Sequence, residues 1–393
     1  MMPTALSEPP LALGARAPAR VRVPDRERAF ALVQRHGWNS TAFQTLEGGY
    51  SYFFHGEDAC VAYVDTGGAW VAAGAPLAPP EALGDVVAAF VEAAQRAGKR
   101  CCFFATEERL HHAAPDRLRS VRIGEQPVWD PQGWPAVLKA HRSLREQLRR
   151  ARAKGVTVRP VRPEELEGGQ THDAMAHLAD AWLARRRMLP MSFLVRVEPF
   201  TYPEHRQVFV AERSGNIVAF AAAIPVPSRN GWFLEDLIVA ADAPNGTSEV
   251  LVDAVMRWSA QIGGGWLTLG LAPLAGEVPT LLRIARRTAT AFYDFAGLRA
   301  YKAKLRPGAW TPIHLAFPRT QSAAATVVDA LAAFAGGRLM RFALRSIASR
   351  PMAVLRTIAA AVVLAPRGVR ALFGALRERR RTEARDVHSK RVV

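Results

Sequence analysis

The sequence is short of three things. Cysteine occurs three times in 393 residues, at Cys60, Cys101 and Cys102, which excludes a disulfide scaffold and a zinc-ribbon spacing. Adjacent Cys101 and Cys102 fall in an apolar, strand-like run and read as buried reduced thiols, pointing to a reducing compartment. Long apolar runs are also scarce. In the C-terminal region the longest uncharged stretch, Thr357 to Pro366, is ten residues, against the ~20 that cross a bilayer. Met1–Val23 is rich in Pro and Ala, has no uninterrupted apolar core ahead of a cleavage site, and is expected to be a flexible lead-in to a cytoplasmic protein. The third shortage is acid: 35 Asp and Glu face 52 Lys and Arg, a net charge of +17.

What is present suffices for a folded protein. Hydrophobic residues make up 49% and charged residues 22% of the chain, so wholesale disorder is excluded. The length suits two ordinary domains or one large one. From Arg338 onward 14 basic residues meet 3 acidic ones, placing +11 of the excess in a tail and leaving +6 for the rest. Residues 338–377 interleave Leu339, Phe342, Leu344 and Ile347 with Arg338, Arg341 and Arg345 at helical spacing. Two readings fit: amphipathic helices lying in an anionic headgroup layer, or helices packed on the protein with arginines in water. Residues 377–393 are expected to be solvated and disordered.

Along the chain an order of elements repeats. Tyr50–Phe54 and Ala59–Val64 read as a hairpin, Ala69–Ala73 as a strand, Pro80 to Ala97 as a helix and Arg100–Ala105 as a strand. Gln207–Ala211 and Ile217–Ala222, then Gly231–Val239, a helix capped by Thr247 or Ser248 and running to Ile262, and Trp266–Gly270 repeat that order without repeating the residues. Between them Pro135–Lys154 reads as one helix carrying Arg142, Arg145 and Arg149. Like charges at spacing three or four repel, so this face either binds an anion or is simply solvated. The histidines show no ligand spacing and no metal or cofactor is expected. Neither a Gly-x-Ser-x-Gly elbow nor a Walker loop occurs.

Hairpin, strand, helix, strand is the layout of the GNAT acyltransferases. The loop that would hold a CoA pyrophosphate, Ala240–Ser248, has one glycine and an Asp242 that would repel phosphate. More specifically, Glu235-Asp-Leu-Ile-Val239, Trp266-Leu-Thr-Leu-Gly-Leu-Ala-Pro-Leu-Ala-Gly276, Phe292-Tyr-Asp-Phe-Ala-Gly-Leu-Arg-Ala-Tyr-Lys-Ala-Lys-Leu-Arg-Pro307 and Trp310–Pro318 resemble the catalytic domain of phosphatidylglycerol lysyltransferases. Gly124-Glu-Gln-Pro-Val128 and His141-Arg-Ser-Leu-Arg145 extend the resemblance over about residues 30–320.

The resemblance implies an α+β fold of two tandem GNAT-like domains, each a mixed sheet flanked by helices, with a tunnel between them and a basic helical tail. The corresponding boundaries are 1–23 for the lead-in, 24–134 for the first domain and 135–160 for the basic linking helix. They continue with 161–320 for the second domain, 321–376 for amphipathic basic helices and 377–393 for the disordered end. It implies transfer of an amino acid from aminoacyl-tRNA to the glycerol hydroxyl of an anionic phospholipid, with the basic tail attaching the protein to the inner membrane face. Asp236, Lys302 and Tyr293 are the expected catalytic residues. Arg142, Arg145, Arg149, Glu235, Arg299, Lys304, Trp310 and His314 are the expected substrate contacts. Strand alternation sets Glu235 on the face opposite Asp236, so one of the two should line the tunnel. Two family arginines are replaced, by Val239 and by Ile313. An acyl-CoA-dependent transferase and a non-catalytic membrane or RNA module are the alternative functions, and nothing in the sequence sets the oligomeric state.

Overall fold

The computed structural model describes residues 23–185, 193–276 and 295–336. The lead-in, Tyr293 and the basic tail from Arg338 lie outside these residues. Twelve strands form one mixed sheet. In chain order they are β1 (Ser51–Phe54), β2 (Cys60–Asp65), β3 (Ala69–Ala73), β4 (Arg100–Thr106), β5 (Leu118–Trp129) and β6 (Thr157–Val161). β7 (Gln207–Arg213), β8 (Asn216–Val226), β9 (Gly231–Val239), β10 (Trp266–Thr268), β11 (Ala272–Pro273) and β12 (Ala309–Pro318) follow. Their order in space is β1-β2-β3-β4-β12-β5-β10-β9-β8-β7-β6, with β11 added to β5.

The sheet joins the two halves of the chain without a break. β12, made last, enters between β4 and β5 and pairs antiparallel with both. β5 then pairs with β10 on its other side. Both expected hairpins are present, and the strand expected at Gly231–Val239 is observed with those bounds. Helix Leu83–Arg96 follows its apolar spacing and buries Leu83, Val86, Val87 and Phe90. Helix Thr247–Gln261 buries Val250, Leu251, Val255 and Met256 in the core beneath Ala219, Ala221 and Ala223 of β8. Helix Gln170–Ala184 covers the other face, where Met175 and Leu178 meet Phe220, Ala222 and Ile238.

Two local expectations are corrected. The arginine-rich segment is two helices, Trp134–Ala140 and Arg142–Ala153, broken at His141, whose ψ of 90° is not helical. The break frees carbonyls at the end of the first helix, and the Arg145 guanidinium donates to those of Leu138 (2.6 Å) and Lys139. The second correction concerns Thr247, whose hydroxyl donates back to the Pro244 carbonyl at 2.6 Å rather than capping the helix. Gly246, at φ +97°, is the N-cap residue there, a conformation glycine adopts without strain.

Candidate active site

Parallel β9 and β10 pair at Gly231–Trp266, Trp232–Leu267 and Phe233–Thr268, where β10 ends. Gly270, at φ +68°, turns the chain there against the Phe233 ring, where a Cβ would stand 2.6 Å from a ring carbon. The chain then runs to β11 on β5, so Leu234–Val239 continue beyond their last partner on β10 and the sheet parts.

A β-bulge sits at this parting. On β8 Ala222 pairs with Asp236 and Ala223 with Leu234, so Glu235 is the extra residue. Ala222 packs on the face of helix Gln170–Ala184 and Ala223 on the face of helix Thr247–Gln261. Paired residues share a face. Leu234 and Asp236, two apart, therefore lie on opposite faces, and Glu235 joins Asp236 on the first of them. The expectation from alternation fails because the bulge adds one residue to the count.

Both carboxylates are consequently held near one buried guanidinium. Arg206, whose side chain is 0% exposed, donates to Glu235 Oε2 and, at 3.3 Å, to Glu47 Oε1. Glu47 comes from the loop before β1, Arg206 from the turn before β7 and Glu235 from β9. Three buried acids thus share a single cation. Asp236 Oδ2 and Glu235 Oε1 are buried without a hydrogen-bond partner. Burial, followed by repulsion from Glu235, raises the Asp236 carboxyl well above the carboxylate range, and the same two causes raise Glu47.

Lys302 closes the other side of the parting. Its ammonium donates to the carbonyls of Leu269 (2.7 Å), Gly270 (2.9 Å) and Leu271 (2.9 Å), the residues that follow β10. Three acceptors match the three N–H groups of the charged form. Burial alone pulls the amine down to about 7. Lys302→Met is expected to cost about 3 kcal/mol by orphaning these carbonyls. The sign with pH is also fixed. The unfolded amine titrates at roughly 10.4, so above the folded value of about 7 the unfolded chain binds more protons and this group's contribution rises with pH. Urea midpoints between pH 7 and 10 should rise in the wild type relative to Lys302→Met; parallel profiles would refute the assignment.

Three of the sequence motifs meet at this point. Ala272 and Pro273 pair with Glu125 and Gly124 of β5, and a Cβ on Gly124 would stand 2.4 Å from the Ala272 carbonyl oxygen. Glu125 is buried and accepts from Arg122 (2.9 Å) and Arg299 (2.8 Å). Arg299 also lies 4.8 Å from the Trp310 ring centroid, so these two expected contacts are together. His314 is half-buried on β12, and burial lowers it below the usual imidazole value.

Other expected contacts stand apart from Asp236. Lys304 pairs with Glu249 at 2.7 Å at the start of helix Thr247–Gln261, where Gln147 also donates to Glu249 at 2.8 Å. That helix end, which in a CoA enzyme would face pyrophosphate, holds this chain's own carboxylate. Leu144 and Leu148 anchor helix Arg142–Ala153 on the sheet face opposite Asp236. Arg142 is exposed there, Arg145 is spent on carbonyls, and Arg149 pairs with Glu146 at 3.0 Å. Glu47, Arg206 and Glu125 were not among the sequence candidates. Glu125 lay inside a quoted motif, whereas Glu47 and Arg206 sit in irregular segments with no periodic or motif signal.

A mixed sheet parted at one parallel pair, with buried carboxylates on one side and a buried ammonium on the other, is the build of an acyltransferase fold. The chain belongs to the family described as phosphatidylglycerol lysyltransferase, C-terminal, whose model matches residues 30–317. It is similar to the crystal structure of the C-terminal domain of a putative lysylphosphatidylglycerol synthetase from Agrobacterium fabrum. That similarity has a TM-score of 0.70 and 28% identity, over 80% of this chain and 98% of that one. The L-PGS structure from Bacillus licheniformis aligns with a TM-score of 0.66 and 22% identity, over 79% of this chain and 96% of that one. The phosphatidylglycerol lysyltransferase of Bacillus subtilis is 24% identical over 315 residues, 77% of this chain but 36% of its own length. The chain thus spans about a third of that curated relative.

Proposed function

We propose that the protein transfers the aminoacyl group of an aminoacyl-tRNA to a hydroxyl of an anionic phospholipid such as phosphatidylglycerol. One observation carries this reading: in a chain of this family, Asp236 stands buried at the parted strands with Oδ2 unpartnered and its carboxyl raised. A carboxylate of raised basicity suits a proton transfer near neutral pH. The lipid hydroxyl attacks the ester carbonyl, forming a new C–O bond as the bond to the ribose oxygen breaks. Its proton passes to Asp236 Oδ2 and on to the leaving ribose oxygen. The ester is already activated, so positioning accounts for most of the acceleration.

In this reading the sheet is two tandem GNAT-like halves, residues 24–134 and 161–320, joined by the basic helices. Lys302 fixes the chain after β10, and Tyr293, outside the described residues, is assigned to the catalytic set with it. Arg299, stacked on Trp310, meets the lipid phosphate. Arg142, Arg149 and Lys304 take the tRNA backbone, Arg145 positions their helix through its carbonyl bonds, and Glu235 and His314 bound the aminoacyl pocket. The protein works on the inner membrane face, its basic tail adding attraction to anionic lipid. Glu249 at the start of helix Thr247–Gln261 speaks against a CoA donor. The test is incubation with labelled aminoacyl-tRNAs and phosphatidylglycerol vesicles. Labelled lipid is expected with at least one amino acid; its absence with all of them overturns the reading.

A further inference from the structure

We propose that helix Ala323–Phe334 is a docking surface for an anionic lipid bilayer, separate from the basic tail. The helix is apolar on both its faces. Its two polar residues, Thr326 and Asp329, are buried. Thr326 donates to the Ser322 carbonyl at 2.9 Å, and Asp329 accepts both arms of Arg100 at 2.7 and 2.6 Å. Ala330 and Ala333 face the core, and Phe334 packs edge-on against Phe104 and Phe193. The outward face presents Val328, 48% exposed, and Leu331, 53% exposed, among alanines. A helix bathed by water places its charges outward and its apolar stripe inward. This one turns both polar residues inward and shows apolar side chains to core and solvent alike, and an exposed apolar face of that kind marks a contact with something apolar.

The surroundings say what that contact is. Arg119 is exposed and donates to the Gln321 carbonyl, just ahead of the helix. Arg319 and Arg117, also exposed, are joined there by a 3.0 Å backbone bond, and Arg100 keeps 48% of its side chain in solvent. Asp116 is the exposed acid in the same turn. Guanidinium groups beside an apolar helix face complement an anionic headgroup layer over an acyl boundary. A second copy of the chain would bring the same arginines against each other across a two-fold axis, so the surface favours lipid over self-association. The inference rests on the proposed lipid acceptor, which requires the enzyme to reach a bilayer.

The experiment uses the full chain with Leu331→Cys, labelled with a polarity-sensitive fluorophore. The native Cys60, Cys101 and Cys102 are buried and stay unlabelled. Vesicles containing phosphatidylglycerol should shift the emission to the blue, and phosphatidylcholine vesicles should not. The double variant Val328→Glu/Leu331→Glu should bind anionic vesicles at least tenfold more weakly, while its transfer to short-chain phosphatidylglycerol dispersed in detergent stays at the wild-type rate. No blue shift on anionic vesicles overturns the proposal. So does a shift that follows protein concentration without lipid, the signature of self-association. A lipid-dependent shift in a protein that aminoacylates nothing would uphold the surface and sink the transfer reading, so the two fail separately.

Discussion

Asp236→Asn lowers transfer to phosphatidylglycerol by at least about 100-fold, the range expected when a positioned proton acceptor is lost, without unfolding the protein. The amide keeps the shape of the side chain and its place opposite Ala222, but it cannot take a proton from the acceptor. Stability moves the other way. Burial and Glu235 raise the Asp236 carboxyl, so the folded state holds its proton at a pH where the unfolded chain, titrating at roughly 3.9, has lost it. That contribution is complete below the unfolded value and is lost as pH rises through the folded one. Asn escapes this loss. The melting temperature of Asp236→Asn should therefore overtake that of the wild type progressively as pH rises above about 4, the unfolded carboxyl's value, measured by calorimetry as a function of pH. An activity loss accompanied by a melting temperature that falls at neutral pH would mark Asp236 as a structural cap rather than the proton acceptor.

This pairing of lost activity with retained stability depends on a feature the sequence hides. The strand Gly231–Val239 is legible, because the apolar runs Trp232–Leu234 and Leu237–Val239 are bounded by Gly231 on one side and the loop from Ala240 on the other. The bulge at Glu235 is not legible, since the extra residue is set by the register in which β9 pairs with its neighbour β8, and no residue type in Leu234–Asp236 marks a bulge. The same holds for the partners. Lys302 could be picked out because it stands in a motif, but its acceptors are backbone carbonyls, which carry no residue signature. Glu47 and Arg206 are 159 positions apart in loops, and a pair of that separation leaves no local pattern to read. The insertion of β12 between β4 and β5 is likewise a long-range choice. Composition and periodicity give the elements, motifs give the family, and the electrostatics of the site emerge once remote loops are packed together.

Arg206→Met destabilises the protein by about 3–5 kcal/mol at neutral pH, the cost of leaving buried charge without its partner. The guanidinium is enclosed, its donors reach Glu47 and Glu235, and Asp236 also feels its charge. Removing it leaves three buried acids facing one another. Arg206→Lys should rescue part of the charge but little of the geometry, because one ammonium cannot replace a planar fork that bridges two carboxylates. Adding Glu47→Gln to Arg206→Met removes one of the orphaned charges and should recover part of the loss, a coupling that a double-mutant cycle reads directly. The pH dependence follows from the raised Glu47 and Asp236 carboxyls. Without Arg206 both rise further, so the folded variant holds protons to higher pH than the wild type does. Its deficit is therefore largest at pH 7 and narrows toward pH 4, where these carboxyls are protonated in both proteins. Urea unfolding at pH 7 and pH 5 checks the sign: a deficit that widens on acidification would show that Arg206 acts through packing rather than charge. If the deficit narrows as expected, one buried cation holds a loop from before β1 to the bulged strand, and its charge tempers the basicity that burial and Glu235 give the carboxylate assigned to the chemistry.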